Sequence, residues 1–415
     1  MRDHPSGIPA TLAGLCAVGF LARASYALAR TPVLALFAAA LGAGPAEVGL
    51  AVAISTVTGV FFKMPAGVLS DVYGRTRALY LGLAVFAFVP LAYLWVSSYP
   101  ALILVRFLHG FATAIYGPVA MAVVVAAAGS RRAELLSWFS SVTVVGNLLG
   151  APLGGLLLTL QGGAADGAAL ARFRVVYAVV ALLGMAALGI ALWALRRLPP
   201  PAPPADPPTL RGAGRAFARA VRQILLDRRI LLTSNMEGVQ NLALGALEAF
   251  LPLYVVYGAG LTAFHAGLLW AVQVIVVLAA KPVLGGLSDR HGRPALIFWG
   301  LFACAIPFAL IPWTHSFPAL LGLAMVFGFG EAVVTSSTAA LVADLCDERQ
   351  MGSAMGAFGT LFDVGHASGP LLAGLLIGWF GGQDYRAPFA LIAGILVLSA
   401  LAFRAGVRDV RPGGA

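Results

Sequence analysis

The sequence predicts an all-α membrane protein in which twelve membrane-crossing helices form two similar six-helix bundles. Three observations lead there. First, the 415 residues are 60% hydrophobic and only 11% charged, whereas a soluble domain carries about 25% charged residues. So few charges cannot dress a water-facing surface, so lipid must cover most of it. Second, apolar runs of about 20 residues, the length that crosses a bilayer, recur twelve times. Third, a short polar turn, Gly67-Val-Leu-Ser-Asp71-Val-Tyr-Gly74-Arg75, returns as Gly285-Gly-Leu-Ser-Asp289-Arg-His-Gly292-Arg293. Each copy lies between two long apolar runs, and the chain's two lysines, Lys63 and Lys281, precede the copies at the same distance.

The first six spans cover about 10–41, 46–69, 78–97, 101–127, 133–160 and 171–195. The second six cover about 229–257, 263–286, 294–313, 317–343, 351–379 and 386–405. Met1-Arg2 and the apolar run after it look like a signal peptide, but the helical text continues, and an uncleaved first span is expected. This divides the chain into an N-terminal bundle (1–197), a connecting segment (198–228) and a C-terminal bundle (229–415).

Arginine placement orients the spans. Arg75, Arg77, Arg131, Arg132, Arg290, Arg293 and Arg349 fall in the turns after the second, fourth, eighth and tenth spans. The opposite turns near 42–46, 98–100, 258–262 and 314–317 have none. Arg172, Arg174 and Arg386 are exceptions. The arginine-rich side is expected to be cytoplasmic, with both termini on it. A bacterial inner membrane is the expected location. The net charge of +10 therefore reflects lipid orientation and not nucleic-acid binding. In the connecting segment, prolines from Pro199 to Pro208 predict a semi-rigid extended stretch. Arg211, Arg215, Arg219 and Arg222 then predict a basic helix lying on the inner membrane surface.

Two six-span halves, a basic central segment and a Gly-x-x-x-Asp-x-x-Gly-Arg turn after the second span of each half resemble the major facilitator superfamily over essentially the whole chain. Arg106-Phe-Leu-His-Gly110 resembles that family's arginine-glycine motif on the fourth span. Gly146-Asn147-Leu-Leu-Gly150-Ala-Pro152-Leu-Gly154-Gly155 resembles the glycine-proline motif of its proton-driven exporters, with the proline one place late. Gly365-His366-Ala-Ser-Gly369-Pro370 is the counterpart on the eleventh span. The resemblance implies two bundles that rock about a central site, with the fifth and eleventh spans moving near their boundary. Glycines at four-residue spacing let helix backbones approach closely. The resemblance also implies a gating loop built from Gly67, Asp71, Gly74 and Arg75 and from Gly285, Asp289, Gly292 and Arg293. In it the arginine reaches an acid on a neighbouring helix. Asp344 is that acid in the second half; its first-half equivalent is Ala126, so the first latch is expected to be weaker or rewired.

Ionisable residues inside a bilayer are costly and are therefore functional candidates. Arg23, Tyr26 and Arg30 share one face of the first span. Glu237, Gln240, Asn241 and Glu248 share one face of the seventh, the equivalent helix. The two stripes are expected to face each other across the cavity, with Glu248 near the outer end and paired to a neighbour. Arg106, Asn147, Gln273 and Glu331 complete the expected cavity set. The acids lie in the second half, so proton coupling is expected from Glu237, Glu331, Asp363 or His366. His109 is expected to be a hydrogen-bonded packing residue. Pro32 and Pro252 are expected to break the first and seventh spans near an outer gate.

The expected activity is secondary active transport by alternating access, with proton-coupled export of a small amphipathic organic compound. An organic-anion or sugar-type transporter using Arg23, Arg30 and Arg106 is the alternative. A non-transporting membrane sensor fits less well, because both motif turns are intact. No nucleotide-binding loop, nucleophile-base set or metal-ligand spacing appears, and Cys16, Cys304 and Cys346 are scattered. An enzyme, a cofactor and a metal are therefore not expected. The expected partners are a small-molecule substrate, protons and lipid, around a monomer.

Overall fold

The computed structural model describes residues 8–127, 132–162, 170–196, 227–346 and 351–406, together with 212, 214, 215 and 218. The turn arginine Arg131, the triplet Asp347-Glu348-Arg349 and nearly all of the connecting segment, with its expected surface helix, lie outside the described residues.

The described chain is helical throughout. The N-terminal half comprises α1 (Ile8–Arg30), α2 (Val33–Ala40), α3 (Pro45–Tyr73), α4 (Arg75–Ala92), α5 (Tyr99–Ala127), α6 (Arg132–Leu160) and α7 (Ala171–Leu195). The C-terminal half comprises α8 (Arg228–Leu253), α9 (Ala263–His291), α10 (Arg293–Leu310), α11 (Phe317–Leu345), α12 (Met351–Trp379) and α13 (Arg386–Gly406). Twelve helical stretches are long and apolar enough to cross a membrane, with α1 and α2 forming the first together.

Each boundary has a local cause. Proline has no N–H and its ring clashes with the preceding turn, and the first span breaks at Thr31-Pro32 before resuming at Val33. Pro252 behaves differently from expectation. It lies inside α8 without breaking it, and the helix runs on into a wider π turn over Tyr254–Gly258. The motif glycines make the corners between α3 and α4 and between α9 and α10. Gly74 has φ +101° and Gly292 φ +86°, a region that costs a side-chain-bearing residue strain. Asp227 caps α8 by accepting from the backbone N–H groups of Arg229 (2.9 Å) and Ile230 (3.3 Å).

The two halves repeat one packing plan. α1 lies on α6 and α7 as α8 lies on α12 and α13; α5 packs on α3 and α4 as α11 packs on α9 and α10. Between halves, α3 meets α12 and α6 meets α9. These seams are glycine-lined. A Cβ at Gly49 would collide with the Pro370 carbonyl, one at Gly374 with the Pro45 backbone, and one at Gly155 with Ala263. All these contacts sit at the end away from the motif turns. The other motif glycines, Gly146, Gly150 and Gly154, instead seat α6 against α1 of their own half, and Gly365 and Gly369 seat α12 against α8.

The apolar core follows the same division. Leu28, Leu34, Phe37, Val48 and Tyr177 of the N-terminal half join the C-terminal half's core in one continuous cluster at the far end. Toward the motif turns the N-terminal half has a core of its own, built from residues such as Leu15, Leu83, Phe86, Val123 and Leu195. There, Gly67, Gly356 and Gly359 face open space. The halves thus share a continuous core and glycine contacts at the far end.

Candidate functional site

α8 is the most enclosed span, with 94% of its apolar window buried. It carries the polar stripe of the second half into the centre of the molecule. Glu237, Gln240 and Asn241 are fully buried and Glu248 nearly so.

Near the far end, polar groups from four helices converge. Because the chain breaks at Pro32, Arg30 is the last residue of α1, and its guanidinium reaches across to α8 and forms an ion pair with Glu248. Glu248 also accepts a hydrogen bond from Thr31 Oγ1 (3.1 Å) and lies 2.9 Å from His366 Nε2 on α12. Arg30 Nη2 in turn stands 2.8 Å from the same His366 nitrogen and 3.4 Å from Thr56 Oγ1 on α3. This cluster binds the halves to each other. The sequence placed Glu248 beside an unspecified neighbour; that neighbour is Arg30 of the opposite half. A second bridge joins Lys63 on α3 to Asp363 on α12 at 2.6 Å. Lys63 is half-exposed and Asp363 mostly covered.

Arg106 occupies a separate place, inside the N-terminal half. It is fully buried and donates to Ser55 Oγ at 2.5 Å. Tyr26 also donates to Ser55 (3.3 Å), and its ring lies 5.8 Å from the guanidinium carbon. His109 Nδ1 is 3.3 Å from the Tyr93 hydroxyl, and Tyr93 stacks on Tyr177 with ring centres 3.9 Å apart. Among the described residues no carboxylate comes within ion-pair distance of Arg106, and its Nε and Nη1 lack hydrogen-bond partners. Arg23 is half-buried one turn below Tyr26, with its Nε likewise unpartnered. Asn147 is half-buried on α6.

The C-terminal half has the opposite content. Glu237 Oε2 lies 2.7 Å from Thr338 Oγ1 on α11, and its Oε1 accepts from Asn241 Nδ2 (3.2 Å). Glu331, at the middle of α11, accepts from Gln273 Nε2 on α9 (2.9 Å) and is partly exposed. Both acids have only neutral partners among the described residues. Gln240 and the Asn241 Oδ1 carry polar atoms with no partner at all.

At the motif end, Arg293 pairs with Asp344 at 2.6 Å, tying the start of α10 to the end of α11. The side chains of Asp71, Asp289 and Arg290 lie outside the described residues. No group of three or more His, Cys, Asp or Glu side chains suited to a metal occurs among the described residues.

Comparison with known proteins agrees with this architecture. The profile of the Major Facilitator Superfamily matches residues 15–280 and again 239–414. An uncharacterized MFS-type transporter of Methanocaldococcus jannaschii is 24% identical over 93% of this chain and 95% of its own length. The multidrug transporter MdfA of Yersinia pestis is 27% identical over 58% of this chain and 56% of its own. Among solved structures, the nucleoside transporter NupG superposes with a TM-score of 0.79 at 16% identity, covering 95% of this chain and 99% of that one. A bacterial homolog of the human lysosomal transporter Spinster, in an inward-facing and occupied conformation, gives 0.77 at 14% identity, covering 98% of each. Twelve apolar helices in two repeated bundles and a family profile spanning both halves lead to one assignment: this chain is an integral membrane protein and a transporter of the Major Facilitator Superfamily.

Proposed function

We propose that the chain exports a small amphipathic organic compound in exchange for protons, with Glu237 and Glu331 as the proton carriers. The observation that carries this reading is the hydrogen count around Glu237. The Thr338 hydroxyl has one proton and two close acceptors, Glu237 Oε2 at 2.7 Å and the Val334 carbonyl at 2.8 Å. A neutral Glu237 resolves the conflict: it donates to Thr338, which donates to Val334. An acid built to be satisfied while neutral, in a span and without an ion-pair partner among the described residues, suits a group that loads and unloads a proton. Glu331 has the same character and is partly exposed.

The cycle follows from the seams. The halves rock about the far end, where Arg30–Glu248 and the glycine contacts hold them, so that the motif end opens and closes. We read the arginine-rich motif turns as cytoplasmic, with both termini on that side of a bacterial inner membrane. The Arg293–Asp344 pair latches the C-terminal motif turn in this state. The similarity to MdfA, named as a multidrug transporter, and to the PmrA homolog of Lactococcus lactis, named as a multidrug resistance efflux pump and 29% identical over 37% of this chain, favours export of drug-like compounds.

Everted vesicles test this. A proton gradient should drive uptake of a lipophilic cationic dye, and addition of dye should release protons. Glu237→Gln and Glu331→Gln should still bind dye but lose gradient-driven accumulation. Undiminished accumulation in both variants removes the assignment. A second reading, organic-anion transport, rests on Arg106, a buried cation without a carboxylate. It predicts binding of aromatic carboxylates that Arg106→Gln abolishes.

A further inference from the structure

The far-end cluster contains a conflict that the transport reading does not use. His366 Nε2 faces two groups at once, Arg30 Nη2 at 2.8 Å and Glu248 Oε2 at 2.9 Å. One ring nitrogen either carries a proton or offers a lone pair. With a lone pair it accepts from Arg30 and opposes the carboxylate. With a proton it donates to Glu248 and opposes the guanidinium. One of the two contacts is therefore attractive and the other repulsive in either proton state.

The three groups are divided unequally between the halves. Glu248 and His366 both belong to the C-terminal half, on α8 and α12, which pack backbone to backbone where Gly245 meets the His366 carbonyl. Their separation is fixed by that contact. Arg30 comes from the N-terminal half and is the member that can leave. Neutral His366 adds a second acceptor for Arg30 and holds the halves together. Protonated His366 supplies Glu248 with a cation from its own half and repels Arg30, so the attraction across the seam falls.

We propose that His366 is a coupling residue: its proton releases Arg30 from Glu248 and lets the far end of the two halves part. The idea rests on the rocking-bundle reading above and adds where a proton acts on the gate. The charged surroundings are compatible with it. Arg30 faces His366 from α1 and Glu248 from α8. Lys63 on α3 is engaged one turn away by Asp363 of the histidine's own helix. On α11 and α13, which also touch α12, Glu331 binds Gln273, Asp344 binds Arg293, and Arg404 lies over the Phe298 ring at 4.9 Å. On its remaining side the imidazole lies parallel to the Phe362 ring with centres 6.2 Å apart.

Spin labels across the far end provide the test. Ser98 and Ser316 are exposed on turns at that end, one in each half. Both are replaced by Cys in a chain whose Cys16 and Cys346 are changed to Ser; Cys304 is buried. Distances between labels are measured at about pH 8 and about pH 5.5. The native histidine should give a severalfold rise in the long-distance population at the lower pH. His366→Gln, which does not titrate, should hold the short distance at both values and unfold at a similar temperature. A pH response that survives in His366→Gln, or none in the chain with His366, overturns the proposal. Glu237→Gln in the same labelled chain separates the two ideas. If it keeps the distance response while export proves independent of protons, the coupling carriers are wrongly assigned and the histidine switch stands. If Glu237→Gln abolishes the response and His366→Gln does not, the switch fails and the carrier assignment stands.

Discussion

The two halves share a packing plan and differ in what they bury. The N-terminal half encloses Arg106 among Tyr26, Tyr93, His109 and Ser55, with no carboxylate beside it among the described residues. The C-terminal half encloses Glu237 and Glu331 among Thr338, Asn241 and Gln273, with no ion-pair partner among the described residues. A guanidinium stays charged at any physiological pH, whereas a carboxyl can become neutral and then donate a hydrogen bond. The same scaffold thus holds a fixed charge on one side and switchable groups on the other. Where the halves meet at the far end, each supplies what the other lacks, Arg30 to Glu248.

The largest effect should come from breaking that meeting point. Removing one member of a buried ion pair costs about 3–5 kcal/mol, since the other is left buried and uncompensated. Glu248→Ala is expected to lower the unfolding temperature strongly and abolish transport. Arg30→Ala combined with Glu248→Ala should be less unstable than the sum of the single changes. Strict additivity in that thermal cycle would show that the pair does not couple the halves.

A smaller loss is expected at the glycine seam. Gly155→Leu puts a side chain into the Ala263 backbone of the other half, and overpacking of this kind costs about 1–3 kcal/mol. Cysteine-accessibility labelling of Ser98 should then report a more open far end. Unchanged labelling would mean that the seam tolerates separation.

The contrast between fixed and switchable charge predicts a different outcome for stability than for transport. Glu237→Gln preserves a neutral hydrogen-bonding group, so its unfolding free energy should stay within about 0.5 kcal/mol of the parent while coupling is lost. Arg106→Met removes a desolvated charge of similar length. It should be neutral or stabilising and still inactive, because replacing buried charge by apolar volume is often favourable. Marked destabilisation by Glu237→Gln would show that the carboxyl is held ionised. The least effect belongs to Lys63→Ala. Its pair with Asp363 is partly solvated, and such pairs contribute about 0–1 kcal/mol. Thermal unfolding should barely move.

Much of this site could be read from the chain. Arg30, Glu237, Asn241, Glu331 and His366 stand out because ionisable and amide groups inside apolar runs are rare. The partner choices were less accessible. Asp363 is expected as a proton-coupling candidate, and its pairing with Lys63 across the seam is one that no spacing in the chain announces. Arg106 is fully buried among Tyr26, Ser55 and Tyr93 of its own half, company that its place in the fourth span does not announce. Arg30 as the partner of Glu248 was the least legible of these pairings. One signal was available: Arg30 and Glu248 both stand within a turn of the prolines Pro32 and Pro252 on equivalent helices, and so lie at the same depth.

The sequence by itself determined the class of molecule, the number and ends of the spans and the sharp motif corners. Those depend on apolar length, on missing proline donors and on glycine's access to positive φ, which are properties of neighbouring residues. Tertiary structure alone decided which charges meet. A helix shows polar groups around its whole circumference, and only the angle at which α1, α3, α8 and α12 pack selects the faces that touch. Whether a buried carboxyl finds a guanidinium or only a threonine depends on helices hundreds of residues apart in the chain.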